Sequence, residues 1–164
     1  MTTMRSKTVR WGSLVAASAV LTGLALLALR ATAADPSPAE LQIKYRKALY
    51  TVMAGNFGPA YAMANGRIPY DAAEFTKRAE RVNFIAGILP EAFPAGSAAG
   101  APTRALPEIW TNSAGFAGRM QELSEKSAAL VAAAKTGDLK QIQPAVGAVG
   151  LACKSCHDKF RKEE

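Results

Sequence analysis

Cys153, Lys154, Ser155, Cys156 and His157 stand together near the end of the chain and include both of its cysteines and its single histidine. Two thiols and an imidazole at i, i+3 and i+4 share one face of a helix. In this order they form the attachment signature of a c-type haem: the thiols add across the two vinyl groups, and the imidazole reaches the iron. Three other chemistries use some of these residues, and each meets an obstacle. A Cys-x-x-Cys redox pair prefers a strand-to-helix turn, and no stretch of this chain alternates long enough to be a strand. A zinc site needs a fourth ligand, and no further Cys or His supplies one. A disulfide between positions three apart in a helix has poor geometry. One covalent haem c per chain is therefore the expected cofactor, anchored by Cys153 and Cys156, with His157 as axial ligand of the iron. A second imidazole from this chain is excluded.

The other end of the chain carries an export signature. Arg5, Lys7 and Arg10 precede an uncharged apolar run from Trp11 to Leu29, and Ala31-Thr32-Ala33 places small residues where a signal peptidase reads. Residues 1–33 are expected to be a signal peptide, cleaved before Ala34, and residues 34–164 a single periplasmic domain. An uncleaved anchor is the competing reading, since the run is nearly long enough to span a bilayer; the well-formed small-residue site favours cleavage. No membrane association is expected afterwards. The whole chain of 164 residues has 20 Lys+Arg against 13 Asp+Glu, a formal net charge of +7. The leader holds four of the cations and no acid, so the remainder has 16 against 13, a net of +3. No basic run interleaved with aromatics remains, which argues against nucleic-acid binding. A hydrophobic share of 49% is enough for a real core and argues against disorder.

To position the haem motif, the chain offers four helical segments. Ile43, Arg46, Tyr50, Met53 and Phe57 keep a three-four spacing in a helix expected from about Ser37 to Ala64, with a kink at Gly58-Pro59. Asp71 and Glu74 resemble a capping box that opens a second helix, with Phe75, Ala79, Val82, Ala86 and Leu89 inward and Pro90 as its stop. Residues 90–112, rich in Pro, Gly and Ala, read as a long connection without an element of its own. A third helix follows from about Ser113, with Phe116, Met120, Leu123, Ser127, Leu130 and Ala134 on its stripe. After the Thr136-Gly137-Asp138 break, Leu139, Ile142, Val146, Val149, Cys153, Cys156 and Phe160 mark the fourth. Pro144 is expected to kink its start or to mark its first turn. The expected fold is all-α, an antiparallel four-helix bundle with the haem near its C-terminal helix.

A haem motif on the last helix of such a bundle resembles the class II cytochromes c, and within them the cytochromes c'. The resemblance extends over Ile43-Lys44-Tyr45-Arg46-Lys47, Asn56-Phe57-Gly58-Pro59, Pro69-Tyr70-Asp71-Ala72-Ala73, Pro107-Glu108-Ile109-Trp110, Thr136-Gly137-Asp138-Leu139 and Cys153 to Arg161. In the low-spin branch of that class, a methionine four residues after the counterpart of Arg46 fills the sixth position of the iron. Tyr50 stands there in this chain, so the resemblance implies an open or weakly occupied sixth site. Met53, one turn on, is core by residue type and is the internal rival. A phenol is a poor ligand unless ionised, and an apolar core opposes ionisation, so Tyr50 is expected to act sterically.

The resemblance also places Arg46 at the haem propionates, with Lys47 near the same edge; taken alone, Arg46 would be a solvated helix charge. Thr103 and Arg104 would close over that edge. Arg161 would stand beside the proximal histidine, or simply complement the dipole at the helix end. Two functions follow: binding of small diatomic ligands (nitric oxide, carbon monoxide), or electron transfer with redox partner proteins. A six-coordinate, low-spin iron would make the chain purely an electron carrier. No acid–base constellation points to an enzyme. Many cytochromes c' form homodimers through their first two helices, and Leu41, Tyr45, Leu49 and Val52 form a second apolar set on the first.

Overall fold

Ser37 opens the first helix by accepting the Glu40 amide on its Oγ at 3.2 Å, with proline in the first turn where a missing N–H costs nothing. The computed structural model describes residues 35–163, so the expected leader and its cleavage site lie outside the described residues. This first helix, α1, spans Pro38–Ala64 and runs through Pro59 without interruption. Pro59 cannot donate to the carbonyl of Gly55, four residues back. Arg78 Nη1 donates to that oxygen at 2.9 Å from the neighbouring helix, while its Nη2 pairs with Glu74 at 2.8 Å. Arg78→Met keeps the stem and removes these donors. The substitution should lower stability by about 1 kcal/mol, read as a fall in the urea midpoint with an unchanged slope.

The second helix, α2, spans Ala72–Ile88, and Asp71 Oδ1 accepts the Glu74 amide at 2.9 Å as the capping pattern requires. Pro90 does not end helical structure outright. It falls in the first turn of a 3-10 segment, Leu89–Ala92, where its missing N–H is tolerated. A short helix α3, Glu108–Thr111, follows Pro107. The expectation of a connection without elements over 90–112 is therefore corrected at both ends: the prolines that break long helices also start short ones. Asn112 caps α4, Ser113–Thr136, and Gly137 at φ 68° closes it. Asp138 opens α5, Leu139–Phe160, in which Pro144 is internal.

The ring of contacts runs α1 on α2, α2 on α4, α4 on α5, and α5 back to α1, where the long helices touch least. Short turns join α1 to α2 and α4 to α5, so these pairs are antiparallel, and the long 89–112 connection links the two hairpins. The fold is an all-α, antiparallel four-helix bundle. Phe75, Ala79, Val82, Leu123, Leu130, Ile142, Val146 and Val149 fill one continuous core. Ser127, fully buried on the α4 stripe, is satisfied by donating to the Ser124 carbonyl at 2.9 Å. Among the described residues no helix is long and apolar enough to cross a membrane.

Residues 104–106 are stitched to the end of α5. Ala105 and Arg161 form an antiparallel bridge, the Leu106 amide donates to Phe160 O at 3.0 Å, and the Lys162 amide donates to Arg104 O at 2.8 Å. The end of the motif-bearing helix, which in an isolated helix would fray, is thereby fixed.

Candidate haem-binding site

The last two turns of α5 carry the motif. Cys156 is buried, Cys153 and His157 are half-buried, and no disulfide joins the two cysteines. Burial pushes both thiols up, Cys156 to about 11 with help from neighbouring Cys153, so both are protonated near neutrality. His157 is pushed the other way, first by burial and then by Arg161 and Arg104, with Asp158 opposing. A neutral imidazole is the form that binds a metal. Arg161 Nη1 lies 3.2 Å from His157 Nδ1, so the guanidinium stands against that side of the imidazole.

Across the loosest seam of the bundle, α1 presents Tyr50 toward these groups. Its phenol is raised well above the ordinary value, by burial first and then by Cys156 and Cys153, while Arg46 and Arg161 pull it back. Tyr50 therefore lies within electrostatic reach of both thiols and stays protonated. Its ring makes an edge contact with Phe93 at 6.4 Å, and Phe93 continues through Phe116 at 4.7 Å to Phe160 at 5.3 Å. Phe57 passes over Gly150 two turns further along α1 from Tyr50. Met53 is buried in the continuous core.

Arg46 is not a solvated charge: it is only 3% exposed. Its Nε donates to Ala92 O at 3.0 Å, and its Nη2 donates to Ser97 O at 3.0 Å and to Ser97 Oγ at 2.7 Å. The guanidinium carbon stands 4.3 Å from the centre of the Phe93 ring and 5.4 Å from that of Trp110. Nη1 is buried with no partner. A buried guanidinium with one unused nitrogen calls for an anion.

These features fit a flat, largely apolar macrocycle with carboxylates on one edge. The thiols and imidazole share a helix face, the seam is lined by aromatic and methionine side chains, and the orphaned Nη1 suits a carboxylate. Lys47, the neighbour of Arg46, is exposed. Thr103 Oγ1 accepts the Ala105 amide at 3.2 Å, and Arg104 donates from Nε and Nη2 to Lys162 O at 3.0 and 2.8 Å. These bonds put both residues to work holding the loop and the end of α5. Phe93 and Ser97 were not singled out by sequence patterning, since they lie in a Pro/Ala/Gly loop with no periodicity.

Known proteins share this sequence and fold. The family model described as Cytochrome C' matches residues 41–161. The cytochrome c' of Rubrivivax gelatinosus is 39% identical over 121 residues, covering 74% of this chain and 94% of that protein. Its crystal structure superposes with a TM-score of 0.73 at 38% identity, over 76% of this chain and 97% of that one. Cytochrome c prime from Shewanella frigidimarina gives a TM-score of 0.74 at 38% identity, over 77% and 98%. A nitric oxide complex of a cytochrome c prime variant from Alcaligenes xylosoxidans gives 0.71 at 36% identity, over 76% and 97%. Fold, motif and relatives coincide over nearly all of the described residues: the chain belongs to the cytochrome c' family and is a protein of covalent haem c.

Proposed function

We propose that this chain is a periplasmic haem protein with a five-coordinate, high-spin iron that binds nitric oxide and carbon monoxide and exchanges electrons. Bound haem supplies the iron and its Fe(III)/Fe(II) couple. Cys153 and Cys156 would hold it covalently, His157 would bind its iron, and Arg46 Nη1 would take a haem carboxylate. Arg161, beside His157, keeps that ring oriented. The observation that carries the reading is Tyr50: the position expected of a methionine ligand holds a protonated phenol, which bonds iron poorly and excludes solvent well. The nitric oxide complex of the Alcaligenes relative supports the same chemistry.

The test is the optical spectrum of the ferrous protein with and without nitric oxide. A high-spin spectrum that converts to a nitrosyl form is expected. A low-spin ferrous spectrum that nitric oxide leaves unchanged would replace the proposal with that of a six-coordinate electron carrier, with Met53 as the candidate ligand.

A homodimer belongs to the same proposal. Leu41, Tyr45 and Val52 on α1 are exposed, Val52 at 52%, and on α2 Phe84 is exposed at 68%. Val52 and Phe84 line a groove between the two helices with Leu49, Ile85 and Ile88, rimmed by Lys77, Glu80 and Arg81. Apolar side chains with mixed charge at the rim suit a self-complementary contact with a second copy. Sedimentation at micromolar concentration should give the mass of two subunits for the parent protein and of one for Phe84→Glu. A parent mass of one subunit rules the dimer out.

A further inference from the structure

Ser97 lies in the long connection, 1% exposed, and a buried serine in a loop of Ala, Gly and Pro needs a reason. Its hydroxyl donates to Pro94 O at 2.8 Å and accepts from Arg46 Nη2 at 2.7 Å, while its carbonyl accepts from the same nitrogen at 3.0 Å. Trp110 Nε1 donates to Pro94 O at 3.1 Å, so the indole, the proline carbonyl, the serine and the arginine form one connected set. The result is a guanidinium fixed on two sides. Nε and Nη2 are held by loop oxygens, the rings of Phe93 and Trp110 bear on it, and Nη1 alone is left over.

We infer that Ser97 is a positioning residue: it fixes the plane of the Arg46 guanidinium so that Nη1 is presented to a haem carboxylate, and so tunes the potential of the haem. The inference rests on the proposed assignment of Arg46 to that carboxylate. Arginine is a planar fork, and fixing one edge of the fork sets the direction of the other. A lysine could not be aimed in this way. The groups packed on the guanidinium from the 3-10 segment, the loop and α3 are Ala92, Phe93, Ser97 and Trp110, and none of them ionises in the neutral range. Tyr50, one turn along α1, is protonated. Ser97 therefore acts on the charge at the haem edge through the orientation of Arg46.

The midpoint potential of the holoprotein, measured at one pH, tests this. Arg46→Gln keeps an N–H donor for the loop but removes the charge; the potential should fall, because an uncompensated carboxylate favours ferric iron. Ser97→Ala should reproduce part of that fall, with covalent haem and helix content unchanged. In the Arg46→Gln background it should add nothing, since the arm it acts through is gone. Should the alanine variant fail to fold, Ser97→Cys, nearly the same shape and a weaker acceptor, gives the same comparison. No change in potential for the serine variants, or an equal shift in both backgrounds, overturns the positioning role. A haem-loaded Arg46→Gln protein with the parent potential overturns the carboxylate assignment itself.

Discussion

Replacing Cys153 and Cys156 with alanine yields a chain that no longer carries haem through denaturing electrophoresis, and most of its cooperative structure goes with the cofactor. The two sulfurs are the covalent attachment proposed for the group, and the structure sets them on one face of α5 with no disulfide between them. The seam between α1 and α5 is where the long helices touch least, and it is bordered by Tyr50, Phe57 and Cys153 on the edge of the core. Helices in a bundle of this size owe their stability to the apolar faces they bury on one another. A bundle without the macrocycle loses apolar burial along a whole seam, and the cost grows with the volume left unfilled. Arg46 would also keep a buried nitrogen with no partner, a penalty of about 1–3 kcal/mol. The double variant should therefore unfold at low urea with a broad transition. Haem staining that still follows the polypeptide after denaturation would refute the cysteine assignment.

How far the sequence reached follows from the range of each interaction. The start of α1 near Ser37, the cap at Asp71 and the break with a fresh cap at Thr136-Gly137-Asp138 were legible, because each is settled within four residues. The inward stripes were legible because a 3.6-residue period needs no knowledge of the partner helix. Arg46 was different. Its sequence position fits a solvated face as well as a haem edge, and what decides is a pair of carbonyls and a hydroxyl 46 and 51 residues away. No periodicity encodes those. Pro59 shows the same limit: its type marks the break in the helix ladder, but that the stranded carbonyl is answered by Arg78 on another helix is written nowhere nearby in the chain. The short elements at Leu89–Ala92 and Glu108–Thr111 were missed because proline signals both an end and a beginning, and only tertiary contacts choose.

Tyr50 carries the functional choice. Its ring is half-buried, packs on the core and on Phe93, and bears electrostatically on both cysteines. Burial raises its phenol above the ordinary value, so the phenolate, the form that binds iron well, is scarce below strongly alkaline pH. On the proposed reading, carbon monoxide would have to displace or pass a neutral ring. Removing the ring in Tyr50→Ala should raise the association rate and affinity for carbon monoxide by about tenfold or more, equivalent to about 1.4 kcal/mol of steric work no longer done. The same change removes only a partly packed side chain, so its stability cost should be about 1–3 kcal/mol, below that of a fully buried aromatic. Tyr50→Met tests the other side of the argument. A thioether at the ligand position of the low-spin branch should convert the iron to six-coordinate, low-spin form, and carbon monoxide would then compete with sulfur. Stopped-flow mixing of the ferrous proteins reads both variants against the parent. Equal carbon monoxide rates for Tyr50→Ala and the parent would show that the ring stands clear of the ligand path. A high-spin Tyr50→Met protein would show that the residue lies too far along α1 to reach the iron.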